Sequence, residues 1–310
     1  MTALRAVSAY LPPESVPVAD LRTELGLNGD QLRVMRRVFG LSQVLREPEG
    51  TVADLMLATA RRLDALRGRE HLVRYVVHAR TMPAVAPYPV NPLHEVRDAL
   101  GLRHAQVFSV FQHACASGLL AVDMCGKLLA ADGDPKALAL VLTGEKTFTP
   151  AARTVPGTAV NGEAAAAVLV GLGGDHDRVL GYATRTHGRF NAALSLTAEV
   201  AAQFQQAYPQ ALADVLLAAV ERARTTLDEL TLILPHNVNR VSWVRLCRNL
   251  GIPLEKVLLD NVPVTGHCFC ADPFLNYRTA ADRGLLTPGD RYLMAAVGLG
   301  ATFSAMVLEH

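Results

Sequence analysis

Solid apolar runs and helix-period patterns alternate along this chain. Leu72–Val77 (LVRYVV) predicts a strand after a helical pattern over Val52–Leu66. Gln106–Phe111 (QVFSVF) predicts another, followed by a small-residue helix over Ala116–Ala131. Ala137–Thr143 (ALALVLT) is apolar throughout, as in a strand buried on both faces. Ala164–Val170 and Arg178–Thr184 predict a strand pair around the glycine-containing turn Gly171–Asp177. A helix over Ala198–Thr225, bent near Pro209, is followed by a strand at Leu230–Leu234 and helices over Val241–Leu250 and Asp272–Arg283. Strands at Tyr292–Ala296 and Ala301–Leu308 close the pattern. Such alternation predicts an α/β architecture with helices covering sheets.

No short-period repeat is present, but a coarse duplication is. QVFSVFQHACASGLLAVDMCGKLLA and KVLLDNVPVTGHCFCADPFLNYRTAA share the order strand, tight turn, helix, and each precedes further strands. The simplest division is into two similar halves, 1–172 and 173–310. No Pro/Ser-rich linker separates them, which predicts halves packed together.

Composition narrows the function classes. Apolar residues make up 50% and charged residues 19% of the 310 residues, enough for a large core. Lys+Arg 30 against Asp+Glu 29 gives a net charge of +1, which offers no field for a nucleic acid. Mean hydropathy is +0.21, yet uninterrupted apolar runs such as Ala164–Val170 stop far short of the roughly 18 residues of a membrane span. The opening residues MTALRAVSAYLPPESV predict no secretory leader. Five cysteines, an odd number in a chain of this size, read as reduced thiols of a cytoplasmic protein.

Three residues suggest chemistry. Cys115 follows an apolar strand and opens the helix HACASGLLA. A helix start stabilises a thiolate and can hold an oxyanion, although a free cysteine is as often a packing residue. His236 ends the strand TLILP, where ligands bind in open α/β sheets; a capping or packing role is the plain alternative. His267 stands in VTGHCFCAD beside another helix start. One thiol and two imidazoles converging at such transitions suit acyl transfer through a thioester. His267, Cys268 and Cys270 lack the spacing and the four ligands of a zinc site, so no metal is expected. Cys125 and Cys247 read as core thiols, His113 as packing, Asp272 as a helix-terminal carboxylate and Gly162-Glu163 as a structural turn.

Taken together, these segments resemble the β-ketoacyl-acyl-carrier-protein synthase III family of thiolase-like condensing enzymes, over most of the chain. SAYLPPESVPVADL is similar to the family's opening strand and helix, RRVFGL to its RTGI segment and HACASGL to its active-site cysteine segment. GTAVNGEAAAAVLVG, LPHNVN (family H-Q-A-N), VTGHCFCAD (family G-N-x-S) and VGLGATFSAMVL follow in the family's order. The resemblance implies a thiolase-like αβαβα sandwich of two pseudo-equivalent halves. It implies a homodimer with Val73–His78 or Gln106–Phe111 near the seam. It also implies Cys115 as nucleophile, His236 and His267 as catalytic imidazoles, and the backbone N–H groups of Cys115 and Leu299 as oxyanion hole. Asn239 falls on the motif's asparagine and is assigned to the substrate site. No cofactor is implied, because the thioester substrates carry their own phosphopantetheine.

The departures are specific. His267 stands where the family has asparagine. No tryptophan precedes RRVFGL to stack an adenine, and Val241 replaces an arginine after the H-Q-A-N motif. Arg36 and Arg37 are instead candidates to meet an acidic carrier protein or a phosphopantetheine phosphate. The GHCFCADPFLNY segment resembles a divergent branch of secondary, polyketide-type metabolism. The expected function is therefore acyl transfer from a carrier-protein or coenzyme A thioester, through Cys115, to an acceptor. Decarboxylative condensation with a malonyl-type extender is the alternative, and a non-catalytic carrier-binding partner a second one. A His267→Asn variant is expected to load acyl and turn over slowly, since an amide cannot act as base.

Overall fold

A computed structural model describes residues 1–191 and 196–310. Nine strands form one hydrogen-bonded sheet: β1 Thr2–Tyr10, β2 Val73–Ala79, β3 Gln106–Val110, β4 Leu138–Gly144, β5 Ala165–Leu172, β6 Arg178–Thr186, β7 Leu230–Leu234, β8 Arg291–Gly298 and β9 Thr302–Glu309. Their order is β7-β8-β9-β6-β1-β5-β4-β2-β3. β1 pairs antiparallel with β5, β5 antiparallel with β4, and β4 parallel with β2. The second set repeats that scheme: β6 antiparallel with β9, β9 antiparallel with β8, β8 parallel with β7. The sets meet at one residue pair, Ala3 with Arg178. Where the first set adds β3, the second has a single parallel bridge from Ile233 to Val257.

One core contains residues of the helices Ser117–Asp132 and Asp272–Asp282 together with strands of both sets. Separate cores lie under Val52–Ala60 and Pro92–Ala99 on one outer face. Another lies under Ala198–Arg222 and Arg240–Leu250 on the other. The layers therefore run helix, sheet, helix, sheet, helix, the αβαβα sandwich the resemblance implies. Sheets covered on both faces need solid apolar strands, which is why every residue of Leu138–Gly144 is buried.

Several elements differ from expectation. Ala165–Leu172 and Arg178–Thr186 do not pair with each other, because β1 lies between them and takes a partner on each edge. The helix from Val52 ends at Ala60, after which the chain turns to bury Leu63 and Leu66. The helix Ala198–Arg222 continues through Pro209, whose lost hydrogen bond falls near a first half with no buried residue. Ala114–Asp132 has the length and hydropathy, 1.5, of a membrane span by composition. More than half of that stretch is buried here, because it forms the middle layer.

Asp177 ties the crossing between the two sets. It adopts φ 52°, a left-handed conformation that aspartate tolerates better than most residues. Its carboxylate accepts from Tyr277 Oη at 2.5 Å and Tyr292 Oη at 2.8 Å, and lies 2.8 Å from His310 Nδ1. Its carbonyl accepts from Leu4 N. Asp177→Ala leaves two buried phenols without an acceptor. A loss of about 2–4 kcal/mol is expected in chemical denaturation, with the denaturant slope unchanged.

Candidate active site

Cys115 sits on a turn repeated between the two sets. After β3 the chain takes φ 44° at Ala114, makes a 3₁₀ turn over Ala114–Ala116 and enters the helix Ser117–Asp132. After the Ile233–Val257 bridge, it takes φ 55° at Phe269, makes a 3₁₀ turn over Phe269–Ala271 and enters Asp272–Asp282. Cys270 thus occupies in the second turn the place of Cys115 in the first. The turns abut: a Cβ on Gly118 would lie 2.9 Å from the Cys270 carbonyl oxygen and 3.0 Å from the Phe274 ring. Only glycine fits that approach.

The second turn delivers a partner for the thiol. His267 Nε2 lies 3.2 Å from Cys115 Sγ, and His267 Nδ1 lies 2.5 Å from Asp272 Oδ2. All three residues are buried. The His267 backbone is fixed on both sides, its N–H donating to the Val160 carbonyl at 3.0 Å and its carbonyl accepting from Gly162 N at 2.9 Å. Asp272 accepts from three N–H groups: Cys268 N at 2.7 Å, Asn237 N at 2.6 Å and the imidazole. Burial disfavours the imidazolium, but the charges of Asp272 and Cys115 outweigh it and raise the His267 pKa well above the ordinary histidine value.

Thr81 completes the surroundings of the sulfur, its Oγ1 donating to Cys115 Sγ at 3.3 Å and lying 3.8 Å from Cys270 Sγ. Glu145 positions it by accepting from Thr81 N at 2.8 Å and Met82 N at 2.7 Å. Burial pushes the Glu145 carboxyl up to about 7, against the pull of those N–H groups. Cys270 and Cys268 turn their thiols to backbone carbonyls, Ala114 O at 3.2 Å and Thr265 O at 3.6 Å.

His236 is buried beside His267 but bonds elsewhere. Its Nε2 lies 2.8 Å from Tyr208 Oη, and its carbonyl accepts from Trp243 Nε1 at 3.1 Å. Burial, and then the charge of His267, lower its pKa to about 3, so the ring is neutral at ordinary pH. Asn239 caps the helix Arg240–Leu250, accepting from Ser242 N at 2.9 Å and donating to the Thr158 carbonyl at 3.4 Å. Its side chain is thus spent on structure. Arg36 and Arg37 are exposed in the last turn of Gly29–Arg37.

The Gly298–Gly300 turn packs directly on the turn that carries Cys115. A Cβ on Gly298 would lie 1.9 Å from the His113 carbonyl oxygen and 3.0 Å from Ala114 Cβ. Gly298→Ala must push the two turns apart. Loading of Cys115, followed by intact mass, is expected to slow about 10–100-fold.

Comparison with known proteins agrees with this fold. Residues 220–310 match the model of the 3-oxoacyl-[acyl-carrier-protein] synthase III C-terminal family. A β-ketoacyl-[acyl-carrier-protein] synthase III of Rhizobium meliloti is 35% identical over 98 residues, 32% of this chain and 30% of that protein. That match spans less than a third of the relative's length. A protein of the same name from Ruegeria sp. is 26% identical over 326 residues, covering 97% of this chain and 96% of the relative. Among solved structures, the acyltransferase ChlB3 aligns with a TM-score of 0.86 at 20% identity over 99% of this chain and 97% of its own. The Aquifex aeolicus 3-oxoacyl-[acyl-carrier-protein] synthase III aligns with a TM-score of 0.82 at 21% identity over the whole of both chains. The C-terminal part of the chain thus matches the synthase III family, and the whole chain shares the fold of those structures.

At the site the chain departs from the motifs it resembles. The histidine in place of the family asparagine is accompanied by a buried carboxylate, Asp272, read from the sequence as a helix-terminal residue. Asp272 does open that helix, and its side chain also meets His267 across the intervening turn. The spacing H-C-F-C-A-D was the available signal. Thr81, Glu145 and Tyr208 reach the site from three other segments, and nothing local in the sequence marks them. The structure joins Cys115 with His267, sets His236 against Tyr208, and leaves Arg36 and Arg37 on the surface.

Proposed function

We propose that the protein is an acyltransferase working through a Cys115 thioester, and that it serves secondary, polyketide-type biosynthesis. The observation that carries this is the unbroken chain Cys115 Sγ, His267, Asp272. The Cys115 thiolate attacks the thioester carbonyl. Backbone N–H groups of Cys115 and Leu299 hold the developing oxyanion, which collapses to S-acyl-Cys115. The departing thiolate takes the proton from His267. The acceptor's hydroxyl, amine or thiol then enters and gives its proton to the now neutral His267 as it attacks the acyl carbon. Cys115 leaves as thiolate and the imidazolium is restored. Asp272 fixes the tautomer and stabilises the imidazolium throughout.

The donor is an acyl-carrier-protein or coenzyme A thioester, and no separate cofactor enters the scheme. Exposed Arg36 and Arg37 supply cationic groups for an acidic carrier or a phosphopantetheine phosphate. The chain divides into pseudo-equivalent halves, 1–172 and 173–310, the first carrying Cys115 and the second His236 and His267. The sheet ends at β3, an edge free for a second copy, which supports a homodimer. The likeness to an acyltransferase structure supports transfer. Near full-length alignment with proteins named synthase III favours decarboxylative condensation as the second reading.

The test is intact mass of the protein after mixing with a panel of acyl-carrier and acyl-coenzyme A thioesters, followed by acceptors with and without malonyl-coenzyme A. Transfer gives a Cys115 adduct that acceptors discharge without malonyl. A product lengthened by two carbons only when malonyl is present overturns it, and the absence of any adduct returns the non-catalytic alternative.

A further inference from the structure

Asn276 is a residue the transfer mechanism does not use, yet it stands where the segments carrying His236, His267 and Asp272 meet. It lies one turn after Asp272 on the helix Asp272–Asp282, at the four-residue spacing that puts two side chains on one face. Both side chains grip the same short segment. Asp272 Oδ2 accepts from Asn237 N at 2.6 Å. Asn276 Nδ2 donates to the Pro235 carbonyl at 2.7 Å and to Asn237 Oδ1 at 2.8 Å. His236 sits between these anchor points.

The orientation of the Asn276 amide follows from its partners. A backbone carbonyl only accepts, so the atom facing Pro235 is the nitrogen, and its two hydrogens serve Pro235 and Asn237. Oδ1 is left to accept, and Asn261 Nδ2 donates to it at 2.7 Å. The Asn261 carbonyl in turn accepts from Thr265 Oγ1 at 3.0 Å, two residues before His267. Asn276 and Asn237 are buried completely. A buried polar network with its groups satisfied holds its members in one arrangement.

We propose that Asn276 is a positioning residue: by holding Pro235 and Asn237 against the Asp272 helix, it keeps the Asn237 N–H on the Asp272 carboxylate. That carboxylate thereby stays aimed at His267 Nδ1, 2.5 Å away. The proposal rests on the transfer mechanism above and deepens it by naming what aligns the imidazole and its carboxylate.

The test compares the full-length protein with Asn276→Leu, which fills similar space without donors or acceptor. Acetyl-coenzyme A is the probe, and loading of Cys115 is followed by intact mass. The maximal loading rate is expected to fall about 10–100-fold, with the half-saturating concentration unchanged. In an Asp272→Asn background the same substitution should cost less than about twofold more, because its effect runs through that carboxylate. Losses that multiply mark a merely structural role and overturn the proposal, as does undiminished loading. A second readout is the low-field proton resonance of the His267–Asp272 bond, identified by its absence from His267→Asn. It should vanish or move upfield in Asn276→Leu, and an unchanged resonance overturns the proposal. Should the leucine variant fail to fold, Asn276→Ser, which leaves room for water to bond Pro235 and Asn237, is put through the same two measurements. An unaltered protein that takes no acetyl group counts against the transfer mechanism alone, and the proton resonance still decides the role of Asn276.

Discussion

Cys115→Ala is expected to abolish the covalent acyl adduct and to reduce transfer to the level of the uncatalysed exchange, a loss of at least about 10⁴-fold in kcat/KM. No other thiol replaces it. Cys270 lies near but donates to the Ala114 carbonyl, and burial raises its pKa well above the ordinary thiol value, with Glu145 adding to the effect. Cys268 is held in the same way, by burial and then by Asp272. The fold should survive, because loss of one sulfur from the turn costs on the order of 1 kcal/mol. Intact mass after incubation with an acyl thioester checks the first half, and circular dichroism the second. An acyl adduct of ordinary yield on the alanine variant would remove Cys115 from the mechanism.

His267→Asn is expected to slow both half-reactions by about 10²–10⁴-fold. The sequence predicted that loading would be spared. The structure changes that, because His267 Nε2 stands 3.2 Å from the sulfur and so serves the nucleophile as well as the acceptor. Asparagine can donate a hydrogen bond there, but it brings no positive charge to hold a thiolate and no base for the acceptor. Single-turnover mass measurements separate loading from discharge. Normal loading with slow discharge would restore the narrower role. The pH profile gives an independent reading. Loading needs the imidazolium to protonate the leaving thiolate, so it falls as pH rises through the His267 pKa. That pKa is raised, so the alkaline limb should lie above the ordinary histidine range near 6.5. Asp272→Asn removes the charge that raises it and should shift the limb to lower pH.

The sequence by itself determined the layered α/β class and the repeated strand, turn and helix, and it singled out Cys115 as the candidate nucleophile. These are legible because they are local. A seven-residue solid apolar run such as Ala137–Thr143 is too short for a buried helix and fits a strand covered on both faces, and a cysteine between an apolar strand and a small-residue helix reports its own setting. His267 was legible as a departure from a resembled motif, without its partner. Only the tertiary structure decided which side chains meet. Strand β1 separates two strands that read as a hairpin, because an open edge on each accepts it. Asp272 binds the His267 imidazole, although helix position alone gives it a capping role, because a buried polar group must be satisfied by whatever partners surround it, here an imidazole and two backbone N–H groups. Tyr208 finds His236 across 28 residues, and Thr81 finds Cys115 across 34. Such pairings depend on how helices and sheets stack, which no local pattern of apolar and polar positions records.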